Sequence, residues 1–153
     1  MIDYKILFIS IMIPVLSGFL SSTLMIEGLN SWYKTANLSP LNPPSWIFGP
    51  VWTLLYILMG ISMYLIYISG VDIRDIMIIY AIQLVLNFLW TPVFFRYKQF
   101  KLAFIIILIM IVLLMLSIWQ FYKINKMAAY LQILQLMWLC FACYLNWYVM
   151  KYN

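Results

Sequence analysis

The stretch Leu102-Ala-Phe-Ile-Ile-Ile-Leu-Ile-Met-Ile-Val-Leu-Leu-Met-Leu-Ser-Ile-Trp-Gln-Phe-Tyr122 runs for 21 residues without a charge. At about 1.5 Å per residue, a helix of that length crosses a hydrocarbon core roughly 30 Å thick. Four further uncharged runs accompany it, Ile6 to Ile26, Ser45 to Ser69, Ile76 to Phe95 and Met127 to Met150, and all four acids and all nine bases of the chain lie outside these five runs. Lipid cannot satisfy the backbone of an open strand edge, and the runs are too long and too evenly apolar for barrel strands, so each is read as a helix. The 153 residues are therefore read as one domain, an all-α integral membrane protein whose five transmembrane helices span about 6–26, 45–69, 76–95, 102–122 and 127–150.

Composition leads to the same class. Hydrophobic residues make up 67% of the chain and charged residues 8%, with a mean hydropathy of +1.02; soluble domains carry about 45–50% and about 25%. The first run is longer than a secretory signal core, is preceded by the single base Lys5, and is followed by no small-x-small cleavage site, so it is read as a retained helix. Pro14 predicts a kink in it, and Ser17, Gly18, Ser21 and Ser22 present small groups on which another helix of the bundle can close. The fourth run, almost unbroken Leu, Ile, Val, Met and Phe, is predicted to be the helix most exposed to lipid.

The one basic cluster, Arg96-Tyr-Lys-Gln-Phe-Lys101, places its loop and the C-terminus in the cytoplasm. A net charge of +5 then means attraction to anionic lipid head groups rather than to nucleic acid, for which no binding module is visible.

Histidine is absent, and no acid or base lies inside any run. Ion-coupled pumping and metal or haem ligation have no candidate residues, so no metal and no cofactor is expected. Cys140 and Cys143 form a C-x-x-C, but within an apolar helix they are read as two small residues, since nothing nearby would activate a thiol.

The polar residues inside the runs are few and periodic. Gln83, Asn87 and Thr91 recur every four residues and share a face with Tyr80, Trp90 and Phe94; Gln132, Gln135, Trp138, Ala142 and Asn146 make a second stripe. A primary amide facing lipid would leave its donors and acceptors unpaired at a cost of several kcal/mol, so both stripes must look inward. The second run adds Phe48, Trp52, Tyr56 and Met59, continuous with an entrance stiffened by Pro40, Pro43, Pro44 and Pro50, where Trp46 and Trp52 offer flat apolar faces. Trp52, Trp90 and Trp138, joined to amides, are candidate ligand contacts, whereas Trp32, Trp119 and Trp147 near run ends suit interfacial belts. The pattern predicts one hollow, enclosed by the second, third and fifth helices and closed by the 27–44 loop.

The strings Trp32-Tyr33, Pro43-Pro44-x-Trp46-x-Phe48-x-Pro50-Val51-Trp52-x-x-x-Tyr56, Gln83-x-x-x-Asn87-x-x-Trp90 and Trp138-x-x-Phe141-Ala142-x-x-Leu145-Asn146 resemble the translocator protein family, also called tryptophan-rich sensory proteins or peripheral-type benzodiazepine receptors. The likeness covers essentially the whole chain and departs at Leu41, Leu134 and Gln135. It implies a five-helix bundle, often a homodimer, that binds porphyrins, sterols and isoquinoline or benzodiazepine drugs in a pocket beneath the first loop. It also implies that Trp32, Tyr33, Pro43, Trp52, Asn87, Trp90, Trp138, Ala142 and Leu145 line that pocket. Tyr56 and Gln135 join this set from the helical stripes.

Two functions are consistent with these residues. The first is a receptor or carrier for planar apolar ligands, foremost protoporphyrin IX, with Trp52 and Trp138 stacked on the ring and Asn87 and Gln135 at its polar edge. The alternative is an enzyme degrading protoporphyrin with light and oxygen, for which Trp52 and Trp138 would be the catalytic residues, since no acid-base pair or nucleophile dyad is present. A scaffold whose pocket only regulates partner association is a third, plainer possibility. A sterol-type pattern, Leu145-x-x-Tyr148-x-x-Lys151, stands at the C-terminal end.

Overall fold

A computed structural model describes residues 2–153. Its elements are α1 (Tyr4–Asn30), a single 3-10 turn at Trp32–Lys34, α2 (Ser45–Tyr67), α3 (Arg74–Thr91) continued by a π-turn at Pro92–Arg96, α4 (Phe100–Ile124) and α5 (Lys126–Tyr152). All five helices are long and apolar enough to cross a membrane.

Most of the helices run past the uncharged windows that predicted them, because charge marks where lipid ends and not where backbone hydrogen bonding ends. Asp3 caps α1, its carboxylate accepting from the backbone N–H groups of Lys5 and Ile6, and the helix continues through Glu27 to Asn30. The connecting loop is consequently 31–44, shorter than the predicted 27–44. At the far end Asn125 closes α4 and caps α5, accepting from the Ala128 N–H, so the two helices meet with a single residue between them. The second helix stops at Tyr67, two residues short of prediction. The third changes register at Pro92, which has no N–H to donate, and Tyr97 N–H reaches back to Pro92 O at 2.9 Å, one residue further than α-helical spacing.

The helices close into a ring in which α1 packs on α2, α2 on α5, α5 on α4, α4 on α3, and α3 on α1. Gly60 of α2 allows the α1 contact, since a Cβ there would meet the backbone of Ser10 and Ile11. On the α3 side, Ser21 Oγ donates to Phe88 O at 3.1 Å, so the small residues of α1 serve packing within the bundle.

The prediction that the fourth helix is the most lipid-exposed is corrected. Only 11% of the apolar window of α1 is buried, against 33% for α4. An apolar side chain is equally at home in lipid and in the core, so hydropathy alone cannot rank helices by exposure. The inner face of α4, Ala103, Ile107, Met110, Leu114 and Phe121, is almost wholly buried and recurs at helical spacing.

Candidate ligand-binding site

Both polar stripes do face inward. Gln83, Asn87 and Thr91 on α3, and Gln132, Gln135 and Asn146 on α5, are all buried. Their partners fix the geometry. Trp90 Nε1 donates to Asn146 Oδ1 at 3.1 Å, and Asn146 Nδ2 donates to Phe100 O at 3.0 Å, which joins α3, α5 and the start of α4. Asn87 Nδ2 donates to Gln83 O at 2.9 Å, leaving its Oδ1 buried without a partner in the protein.

The predicted single hollow is instead two compartments separated by indole. The larger, about 260 Å³, lies among α1, α2 and α3 and is bordered by Gly18, Ser21, Trp52, Tyr56, Asn87 and Trp90. The smaller, about 30 Å³, lies among α2, α3 and α5 under Tyr33 and is bordered by Trp52, Trp90, Phe94, Trp138, Ala142 and Leu145. Trp52 stands between them. Its ring stacks on Tyr56 at 5.7 Å, tilts against Trp90 at 6.3 Å, and meets Trp138 edge to face at 6.4 Å and 89°. Asn87 and Trp138 therefore border different spaces. A flat ligand sandwiched between Trp52 and Trp138 does not fit this arrangement without ring movement, because perpendicular rings offer no common slot.

Gly18 shapes the larger compartment, since a Cβ there would collide with the Tyr56 ring. The α1 wall was legible only as a packing face: Gly18, Ser21, Ser22 and Met25 share one side of that helix, but small residues signal close approach equally to a helix or to a ligand.

Four residues of the predicted set or its entrance line neither compartment. Trp32 donates from Nε1 to Phe95 O at 2.7 Å and packs against Phe94, Phe95 and Phe100, which makes it an internal anchor of the loop and not an interfacial belt residue. Pro43 is half-buried in the loop, where its carbonyl accepts from Asn42 Nδ2 at 3.0 Å. Gln135 is buried about one turn beyond Trp138, below the floor formed by the indoles, with Oε1 unpartnered. Trp46 is 74% exposed.

The roof is held by neutral polar contacts. Tyr33 O–H donates to Asn42 Oδ1 at 3.0 Å, and the Ser39 and Tyr144 hydroxyls are 2.9 Å apart. Asn37 donates its backbone N–H to Asn153 Oδ1 at 2.8 Å, and Asn153 Nδ2 returns a bond to Asn37 O at 3.1 Å, so the loop is clasped to the end of α5. Burial raises the Tyr33 phenol above its ordinary value, with the Asn42 hydrogen bond pulling the other way, so this contact is uncharged at neutral pH.

Trp119 and Trp147 are exposed, with Lys123 Nζ 3.3 Å from the Trp119 ring and Lys151 Nζ 5.0 Å from that of Trp147. In the sterol-type pattern Leu145 faces the smaller compartment while Lys151 covers rings outside it, so the pattern does not form one surface. Among the described residues no group of His, Cys, Asp or Glu is arranged to hold a metal ion. Cys140 is exposed and Cys143 half-buried, and they are not paired.

Against known proteins, the model of the TspO/MBR family matches residues 10–152. The tryptophan-rich protein TspO of Archaeoglobus fulgidus is 39% identical over 88 residues, covering 56% of this chain and 57% of its own. The translocator protein of Ovis aries is 35% identical over 98 residues, covering 61% and 58%. The tryptophan-rich sensory protein of Cereibacter sphaeroides is 38% identical over 79 residues, covering 51% and 49%. In each case the chain spans little more than half the length of the curated relative, or about half.

Proposed function

This chain belongs to the TspO/MBR family, and from that membership we propose that it is a membrane receptor for planar apolar ligands of the porphyrin class, held within the bundle beneath the 31–44 loop. The observation that carries this reading is the shared wall, since Trp52 and Trp90 border both compartments. Moving these rings merges the two spaces into one slot lined by Phe48, Tyr56, Phe94 and Trp138.

Such movement is required. Pockets for drug-sized ligands measure about 300–1,000 Å³, and the larger compartment at about 260 Å³ falls short of that range. Affinity then comes chiefly from area, because burying a few hundred Å² at about 25 cal/mol per Å² outweighs one amide hydrogen bond worth roughly 1 kcal/mol net. The unpartnered Asn87 Oδ1 selects for a ligand with a hydrogen-bond donor, such as a pyrrole N–H.

The test is titration of the purified protein with protoporphyrin IX, read by tryptophan fluorescence. Replacing Trp52 and Trp138 together by Phe is expected to weaken binding by about tenfold, equivalent to about 1.4 kcal/mol. Unchanged affinity in that variant would rule the site out.

A second reading, light-driven oxidation of protoporphyrin, draws on the edge contact between Trp52 and Trp138 at 6.4 Å. A photoexcited porphyrin takes one electron from an indole and passes it to dioxygen; the indole radical cation, shared by the Trp52–Trp138 pair, is refilled by an electron from the porphyrin, and superoxide adds to the resulting porphyrin radical cation, so that one dioxygen is incorporated per porphyrin and the indole is regenerated. Under illumination this reading expects a defined product that the Trp138→Phe variant does not make. A product mixture identical to that of free porphyrin in detergent rejects it.

A further inference from the structure

At the end of the bundle remote from the loop, α3, α4 and α5 surround a small polar well of about 10 Å³ bordered by Tyr80, Gln83, Ser117 and Gln132, with Met59, Leu114 and Phe121 as apolar walls. The four polar residues are 9%, 2%, 7% and 3% exposed, deep within helices that cross the membrane. Tyr80 Oη and Gln83 Oε1 have no hydrogen-bond partner in the protein. The orientation of the Gln83 amide is fixed, because its Nε2 donates to Met110 O at 3.2 Å and a carbonyl accepts only from the nitrogen end.

Each orphaned group in an apolar interior costs on the order of several kcal/mol, and lipid offers no partner. A space of roughly 10–15 Å³ holds one water, and a buried water needs two to four polar partners. The well meets the first requirement at its lower limit and the second in full. Nothing larger than water fits.

We propose that this well is the binding site of one ordered water that bridges α3, α4 and α5. The water donates to Gln83 Oε1 and pairs with the Tyr80 hydroxyl, while the Gln132 amide and the Ser117 hydroxyl complete its coordination. This site is independent of the ligand compartments and of the function proposed for them.

The test turns on a sign. Ser117→Val puts two methyl groups in place of one hydroxyl and so fills the well: if the well is dry, filling it raises the thermal midpoint in detergent. If it holds water, displacement strands Tyr80 and Gln83, and the midpoint falls by about 2 °C or more. In a Tyr80→Phe, Gln83→Leu, Gln132→Leu background the same Ser117→Val change is expected to be neutral or stabilising, because none of the well's other polar groups remains to be stranded. A rise in the otherwise unmodified protein, or an equal fall in both backgrounds, overturns the proposal. Independently of any variant, a high-resolution crystal structure grown from lipid is expected to show one density peak within hydrogen-bond distance of both Tyr80 Oη and Gln83 Oε1, and its absence also overturns the proposal.

Discussion

Single residues decide how much room the larger compartment has. Gly18 is tolerated only because it has no side chain against the Tyr56 ring, so Gly18→Leu is expected to cost about 1–3 kcal/mol through overpacking. The measurement is the denaturation midpoint in detergent, and an unchanged midpoint would mean that α1 can retreat into lipid. Tyr33 gives a pH signature. Its phenol is raised above 10.0 by burial, so the folded state keeps a proton that the unfolded state loses; the associated stability is complete below pH 10 and is lost as pH climbs through the folded value. The stability difference between the native chain and Tyr33→Phe is therefore expected to shrink above pH 10. At this scale the sequence was informative about which residues turn inward, since an amide in lipid is costly wherever it stands. It was silent on partners: that Trp32 is spent on the Phe95 carbonyl depends on the π-turn at Pro92, which no spacing of side chains announces.

Helices were legible as spans, and their ends were not. Asp3 and Asn125 fix the starts of α1 and α5 by accepting from backbone N–H groups, and the Asn125 N–H fixes the end of α4 by donating to Phe121 O. The loop is the element whose behaviour matters most, and its clasp to α5 through Asn37 and Asn153 is made of exposed amides that water can replace. Asn153→Ala is expected to raise the association and dissociation rates of protoporphyrin together, by severalfold, while the dissociation constant moves little. Stopped-flow fluorescence checks this, and a change confined to dissociation would show that the clasp contacts the ligand and is not simply holding the roof. The exposure ranking of α1 and α4 was beyond the sequence, because mean hydropathy measures how apolar a helix is and not which neighbour it meets.

The five helices form a closed ring, and their odd number puts the two termini on opposite faces of the membrane. If the positive-inside rule governs the Arg96–Lys101 cluster, a fluorescent reporter fused at the C-terminus is expected to be bright in a bacterial host and an alkaline phosphatase fused there inactive; the reverse pattern inverts that topology. What the ring encloses could not be read from periodicity. Stripes on α3 and α5 establish that two faces look inward, but whether they see each other depends on the indoles of Trp52 and Trp90, which border both compartments. The larger compartment has α1 for a wall, and that helix is the least buried of the five. A greasy solute reaching this protein has first dissolved in the bilayer, so occupancy follows its mole fraction among the lipids. Dissociation constants quoted per litre of buffer will drift with the amount of membrane in the assay, and will coincide once expressed per mole of lipid.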